Sequence, residues 1–231
     1  MSEVAEIEKQ VVKKEREPLF SKKNKKLITD PLNDNNPVTI QVLGICSALA
    51  VTVQMEPSVV MCISVLFVLV SANVLISLIR NLIPNRIRII VQLVVVAALV
   101  IIVDQVLKAY LYDVSKSLSV FVGLIITNCI IMGRLEAFAL ANKPWASALD
   151  GVGNAIGYAM VLVVVSFFKE LFGSGKLFGV EIFGNAASET GIYAFGYMDN
   201  GLMLFPPSSL ILVAIYIWVQ KARNPKLIES H

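Results

Sequence analysis

The sequence predicts an all-α polytopic membrane protein: six transmembrane helices in two inverted three-helix repeats, with short or broken helices carrying two cysteines. Three observations predict it. Hydrophobic residues make up 56% of the 231 and charged residues only 16%, with a mean hydropathy of +0.73, a balance of multi-span membrane proteins rather than soluble domains. The apolar residues collect into six runs. The basic residues divide unevenly between alternate links.

In chain order, residues 1–36 form a charged tail, 37–222 the six-helix membrane domain and 223–231 a C-terminal tail. Within the tail, Val4, Ile7, Val11 and Val12 fall on one side of a possible helix, and Lys22, Lys23, Lys25 and Lys26 suit anionic headgroups. The tail reads as a solvated, orienting segment. It has no apolar core before a cleavage site, so the first apolar run is expected to direct insertion. Asn36-Pro37 reads as a helix start, a capping residue followed by proline at the first helical position.

The runs cover 38–55, 58–79, 87–107, 118–133, 151–172 and 202–220. The first and fourth are short for a ~30 Å hydrocarbon layer. With the N-terminus in the cytoplasm, sixteen of the twenty Lys/Arg fall in inside regions, and only Lys108, Lys116, Lys169 and Lys176 fall outside. This places both termini in the cytoplasm. Each half, about 37–112 and 117–221, holds three spans. Three is odd, so the second half enters from the opposite side, and such inverted repeats interrupt helices near the midplane to build a site.

Several chemistries are excluded or left without support. The formal charge of +3 belongs to tails and links, so no nucleic-acid partner is expected. His231 is the sole histidine, which leaves histidine-ligated haem or zinc and histidine base catalysis without a donor inside the spans. Three cysteines without paired spacing do not make a disulfide framework. Gly153 and Gly157 form a G-x-x-x-G expected to admit another helix closely, not a dinucleotide fingerprint. Gly173-Ser-Gly175-Lys176 lacks the spacing and hydroxyl of a phosphate loop. The loop over 173–200 is glycine-rich and carries Phe178, Ile182, Phe183 and Phe195, which are expected to cover a neighbour or the helix ends. Glu56, Asp104, Glu136, Lys169 and Glu170 sit at apolar margins, where snorkelling or pairing is expected and no role is assigned.

Cys46 and Cys129 are the candidate ligands. Cys46 lies nine positions after Pro37 and Cys129 eleven after Leu118. At ~1.5 Å per residue each sulfur is ~14–17 Å from its helix start, about mid-bilayer. Cys62 has no counterpart and reads as packing. Two soft ligands at matching depth point to a shared metal or redox centre. An iron–sulfur cluster takes four cysteines and a thiolate zinc site also takes four, so a partner chain must supply a second pair.

The residues around both cysteines resemble those of the D-type membrane subunits of bacterial Na+-translocating NADH:quinone reductases. The resemblance runs through Leu43-Gly-Ile-Cys46-Ser-Ala-Leu, Arg86-Ile-Arg-Ile-Ile-Val-Gln, Val103-Asp-Gln-Val-Leu-Lys-Ala-Tyr110 and Thr127-Asn-Cys129-Ile-Ile-Met-Gly-Arg134. It continues through Asp150-Gly-Val-Gly-Asn, Lys169-Glu-Leu-Phe-Gly-Ser-Gly-Lys-Leu-Phe-Gly179 and Asn200-Gly-Leu-Met-Leu, over about residues 20–222. The first ~18 residues read as an added extension. The resemblance implies a subunit that is not catalytic alone but belongs to a six-subunit oxidoreductase and Na+ translocase. It implies that Cys46 and Cys129, with two cysteines of a homologous inverted sister subunit (E), hold one [2Fe–2S] cluster in the lipid bilayer. That cluster relays electrons between cytoplasmic and periplasmic redox centres, coupled to Na+ export. FAD, FMN and riboflavin are implied elsewhere in the complex, with NADH and ubiquinone bound by other subunits. The alternatives are the E-type subunit of the Rnf ferredoxin:NAD+ oxidoreductase, a cofactor-free inverted-repeat secondary transporter, and a structural scaffold.

Overall fold

A computed structural model describes residues 27–32, 35–84, 86–110, 123–173, 176–177, 180–181 and 205–223. Most of the N-terminal tail, most of the 173–200 loop and the C-terminal tail lie outside the described residues. The fold is helical. A 3-10 turn at Asp30–Leu32 precedes α1 (Ile45–Val51), α2 (Met55–Ile79) and α3 (Arg88–Tyr110). Then come α4 (Cys129–Arg134), a π-helical turn (Leu135–Ala139), α5 (Pro144–Gly173) and α6 (Pro206–Arg223). One small antiparallel ribbon, β1 (Lys176–Leu177) with β2 (Val180–Glu181), follows α5.

Among the described residues three helices, α2, α3 and α5, are long and apolar enough to cross a membrane. The 18 residues of α6 begin with Pro206, Pro207, Ser208 and Ser209, which lower its apolar character. Pro57 is tolerated in α2 because its first turn has no intrahelical N–H to lose, and Glu56 suits the positive start of the helix. α2 then packs along α5 and forms the core of the described fold. Val65, Leu69, Ala72 and Ile76 of α2 are buried with Tyr158, Val161, Leu162 and Val165 of α5. α3 buries only Gln92, Val96 and Val100, a single narrow stripe, and exposes Ile89, Ile90, Val94, Ile101, Ile102 and Val106. An apolar face of this kind suits lipid or a partner helix.

The first and fourth runs hold short, broken helices, as expected, but the unbroken helical rise up to each cysteine that set their expected depth is absent. Residues 37–44 form turns, not helix, and only 45–51 is α-helical. Asn36 makes the bonds of a capping residue, its Oδ1 accepting from Val38 N (3.0 Å) and Thr39 N (3.3 Å), but the α-helix expected to start at Pro37 does not form. The helix fails two residues on because Leu43 N bonds back to Pro37 O at 2.8 Å, closing a turn. Val42 then takes φ 57° and Gly44 φ 81°. A β-branched residue at positive φ is strained by ~1–3 kcal/mol, and the closed turn imposes it. In the fourth run the helical turn at 123–126 ends at Thr127, and Asn128 is extended (φ −67°, ψ 119°) before α4 begins. The fifth helix starts earlier than expected, at Pro144, which brings Asp150 inside it.

The G-x-x-x-G face of α5 does admit a close neighbour, but that neighbour is not a helix of the bundle. A Cβ on Gly153 would lie 2.7 Å from Leu27 O, and one on Gly157 2.5 Å from Pro31 O. The segment leading to the first cysteine therefore lies in the glycine groove, and Asn36 Nδ2 donates to Gly157 O at 3.2 Å. Backbone against backbone is possible only where side chains are missing. Gly157→Leu is expected to expel this segment and to destabilise the protein by ~1–3 kcal/mol. Thermal unfolding in detergent, with limited proteolysis near residue 30, measures it; wild-type resistance to both would contradict the packing.

Candidate functional site: a thiol pair between two helix breaks

The two breaks face each other. Cys46 is the second residue of α1 and Cys129 the first of α4, and their sulfurs lie 3.6 Å apart. Two glycines permit the approach. A Cβ on Gly44 would lie 3.0 Å from the Tyr158 ring, and one on Gly133 3.1 Å from Leu43 Cδ1. Gly44 also supplies the left-handed residue that turns the chain into α1, a conformation costly for any side chain with a Cβ.

Beneath the thiols, three side chains join the breaks to α5. Ser47 Oγ donates to Gly44 O (2.8 Å) and lies 2.7 Å from Tyr158 Oη. Asn128 Nδ2 donates to Ser47 Oγ at 3.4 Å, while Asn128 Oδ1 accepts from Ile130 N at 3.2 Å and caps α4. Ser47, Asn128 and Tyr158 are all fully buried. Each cysteine thus has one neighbour in this network: Ser47 follows Cys46, and Asn128 precedes Cys129. Cys46 itself is exposed and Cys129 half-buried, so the sulfurs form the open edge of a closed polar base.

The pair is not a disulfide, which needs ~2.05 Å between sulfurs. Two thiolates on one tetrahedral metal, at ~2.3 Å each, lie ~3.8 Å apart. The observed 3.6 Å fits that edge. Both cysteines are free thiols in first turns, where backbone N–H groups lack helical acceptors. Among the described residues no third His, Cys, Asp or Glu joins them, so the chain presents two ligands of a larger set. Cys62 stands apart as expected, buried in the core with its sulfur 4.0 Å from Ala159 O.

Charge is handled around the second break. The π turn adds one residue to the helix, seen in Leu140 N bonding to Leu135 O. Arg134 pairs with Asp150, which is 2% exposed, in a two-pronged contact through Nε (2.9 Å) and Nη2. Asn154 Nδ2 donates to the same carboxylate at 3.1 Å. Glu136 meets Arg88, and Gln92 donates to it at 3.1 Å. Asp104 pairs with Lys108 one turn on, at 2.6 Å. Lys169 and Glu170 do not snorkel: they are 0% and 5% exposed.

The family model described as "Rnf-Nqr subunit, membrane protein" matches residues 24–217. The chain belongs to the Rnf-Nqr membrane-subunit family. The D subunit of a Na(+)-translocating NADH-quinone reductase from Photobacterium profundum is 54% identical over 210 residues, covering 91% of this chain and 98% of that protein. The chain is therefore an integral membrane protein of a family whose members serve oxidoreductase complexes.

The structure brings the two sequence-predicted cysteines together and sets beside them Ser47, Asn128, Tyr158 and the Arg134–Asp150 pair, which sequence reasoning did not single out. The available signal was the polar residue flanking each cysteine on opposite sides. Asn128→Ala is expected to destabilise by ~1–2 kcal/mol and Tyr158→Phe by ~1 kcal/mol. Both act through Ser47, so the double variant should lose less than the sum. Additive losses in thermal unfolding would show two separate contacts rather than one network.

Proposed function

We propose that this chain is the D-type membrane subunit of a bacterial Na+-translocating NADH:quinone reductase, and that Cys46 and Cys129 hold half of an intramembrane [2Fe–2S] cluster. The observation that carries the reading is the 3.6 Å separation of the two sulfurs at facing helix breaks. The relative's 54% identity over nearly the whole of both chains supports the quinone-reductase branch over the Rnf branch. The other two thiolates come from a homologous sister subunit seated on the open side, where Cys46 is exposed. The order of elements supports an inverted repeat: a broken cysteine-bearing segment followed by two helices in each half. The termini lie in the cytoplasm and the subunit in the inner membrane, with FAD, FMN, riboflavin, NADH and ubiquinone bound by other subunits.

Bound between the two chains, the cluster supplies a one-electron stop between cytoplasmic and periplasmic redox centres, in a process coupled to Na+ export. This chain's residues make that stop possible. Its first-turn N–H groups and the positive ends of α1 and α4 favour negative charge at the sulfurs. The Ser47–Tyr158–Asn128 network holds both segments in register and pairs Gly44 O and Ile130 N at the two breaks. Apolar Val161, Leu162 and Val165 on α5 complete a dry interior beyond Tyr158.

The test is iron, acid-labile sulfide and the electron paramagnetic resonance spectrum of the purified complex. Cys129→Ser and Cys46→Ser are each expected to lose the cluster's signal together with its iron and sulfide, while Cys62→Ser keeps all three. Full iron and an unchanged spectrum in Cys129→Ser would refute the proposal.

A further inference from the structure

Two charged residues near the end of α5 take no part in the thiol site. Lys169 and Glu170 are buried, which is rare for either residue type and costly without matched partners. Adjacent in sequence, they address the two sides of the gap between α1 and α2. Lys169 Nζ donates to Ser209 Oγ of α6 at 2.9 Å. Ser209 Oγ lies 3.2 Å from Thr52 Oγ1, and Thr52, which closes α1, donates to Ala48 O at 2.5 Å. Glu170 Oε2 accepts the N–H of Met55, the first residue of α2, at 2.5 Å.

The signs match the helix ends. The last carbonyls of a helix carry partial negative charge and the first N–H groups partial positive charge. The cation is linked to the carbonyl end of α1, which has no basic residue in its own last turn. The anion meets the amide end of α2. Exchanging the two charges would oppose both ends.

A helix of seven residues is too short to hold its own direction, so α1 depends on what grips its ends. Ser47, Tyr158 and Asn128 grip the cysteine end. We propose that the buried Lys169–Glu170 pair is the clamp on the other end, a positioning pair that fixes the direction of α1 and thereby keeps Cys46 beside Cys129. The link through Ser209 makes α6 part of the clamp, so α5 and α6 both converge on the break of three residues, 52–54, between α1 and α2. The redox part of the test below rests on the cluster reading; the bridging part rests on the sulfur geometry alone.

The variants are Lys169→Met, Glu170→Gln and Lys169→Arg. In the full-length chain in detergent, carrying Cys62→Ser, a bifunctional bimane reagent reports how often the two remaining sulfurs are adjacent. Bridging is expected to fall severalfold in Lys169→Met and Glu170→Gln and to return in Lys169→Arg. In the intact complex, a redox titration followed by electron paramagnetic resonance is expected to shift in opposite directions. Lys169→Met lowers the midpoint, because a buried cation favours the added electron; Glu170→Gln raises it. A loss of packing alone would move both the same way. Wild-type bridging in both variants, or midpoint shifts of one sign, would overturn the clamp. If Lys169→Met fails to accumulate, Ser209→Ala keeps both charges and breaks only the hydroxyl chain; its bridging must fall for the clamp to stand. A wild-type complex without iron would overturn the cluster reading instead, and the bridging yields would still decide the clamp.

Discussion

A helix broken inside a packed fold leaves backbone groups that need new partners, and this requirement governs the arrangement around the thiols. Two breaks bring Cys46 and Cys129 together, and each frees backbone groups that a continuous helix would have paired. The protein meets the need with few side chains. Asn128 caps α4 and bonds to Ser47; Ser47 returns a bond to Gly44 O and meets Tyr158. The bonds that satisfy one break also locate the other. Removing a member leaves buried polar groups unpaired, which costs more than the bond itself contributed.

Electrostatics follow the same logic at greater distance. Four contacts tie a charge of one described element to another: Arg134 with Asp150, Arg88 with Glu136, Lys169 through Ser209 toward α1, Glu170 on the first amide of α2. Each contact crosses between elements, so the charges specify which helix lies against which. An apolar contact between α2 and α5 tolerates sliding; an ion pair with a fixed fork geometry does not.

Much of this was legible in the residues, and the remainder was hidden for identifiable reasons. Long apolar runs announced α2, α3 and α5, because their signal is composition, which does not depend on neighbours. The paired cysteines stood out through their spacing from Pro37 and Leu118. The shortness of 38–55 and 118–133 announced short or broken helices there, but not where they break, since the interruption comes from bonds such as Leu43 N to Pro37 O. Gly153 and Gly157 declared a close approach correctly but could not say that 27–37 would fill it. Lys169 and Glu170 sat at an apolar margin, where side chains of their length reach water in most helices. Only the positions of Ser209, Thr52 and Met55 turned them inward.

The bonds that seat the first cysteine segment also set a schedule for biosynthesis. Asn36 bonds to Gly157, 121 positions later; Ser47 meets Tyr158 after 111; Thr52 waits for Ser209 across 157. At ~5–20 residues per second of synthesis, the first of these partners emerges many seconds after the segment itself. The nascent first half therefore enters the bilayer with its earliest piece unlocked. That piece settles only when later-made helices arrive to receive it.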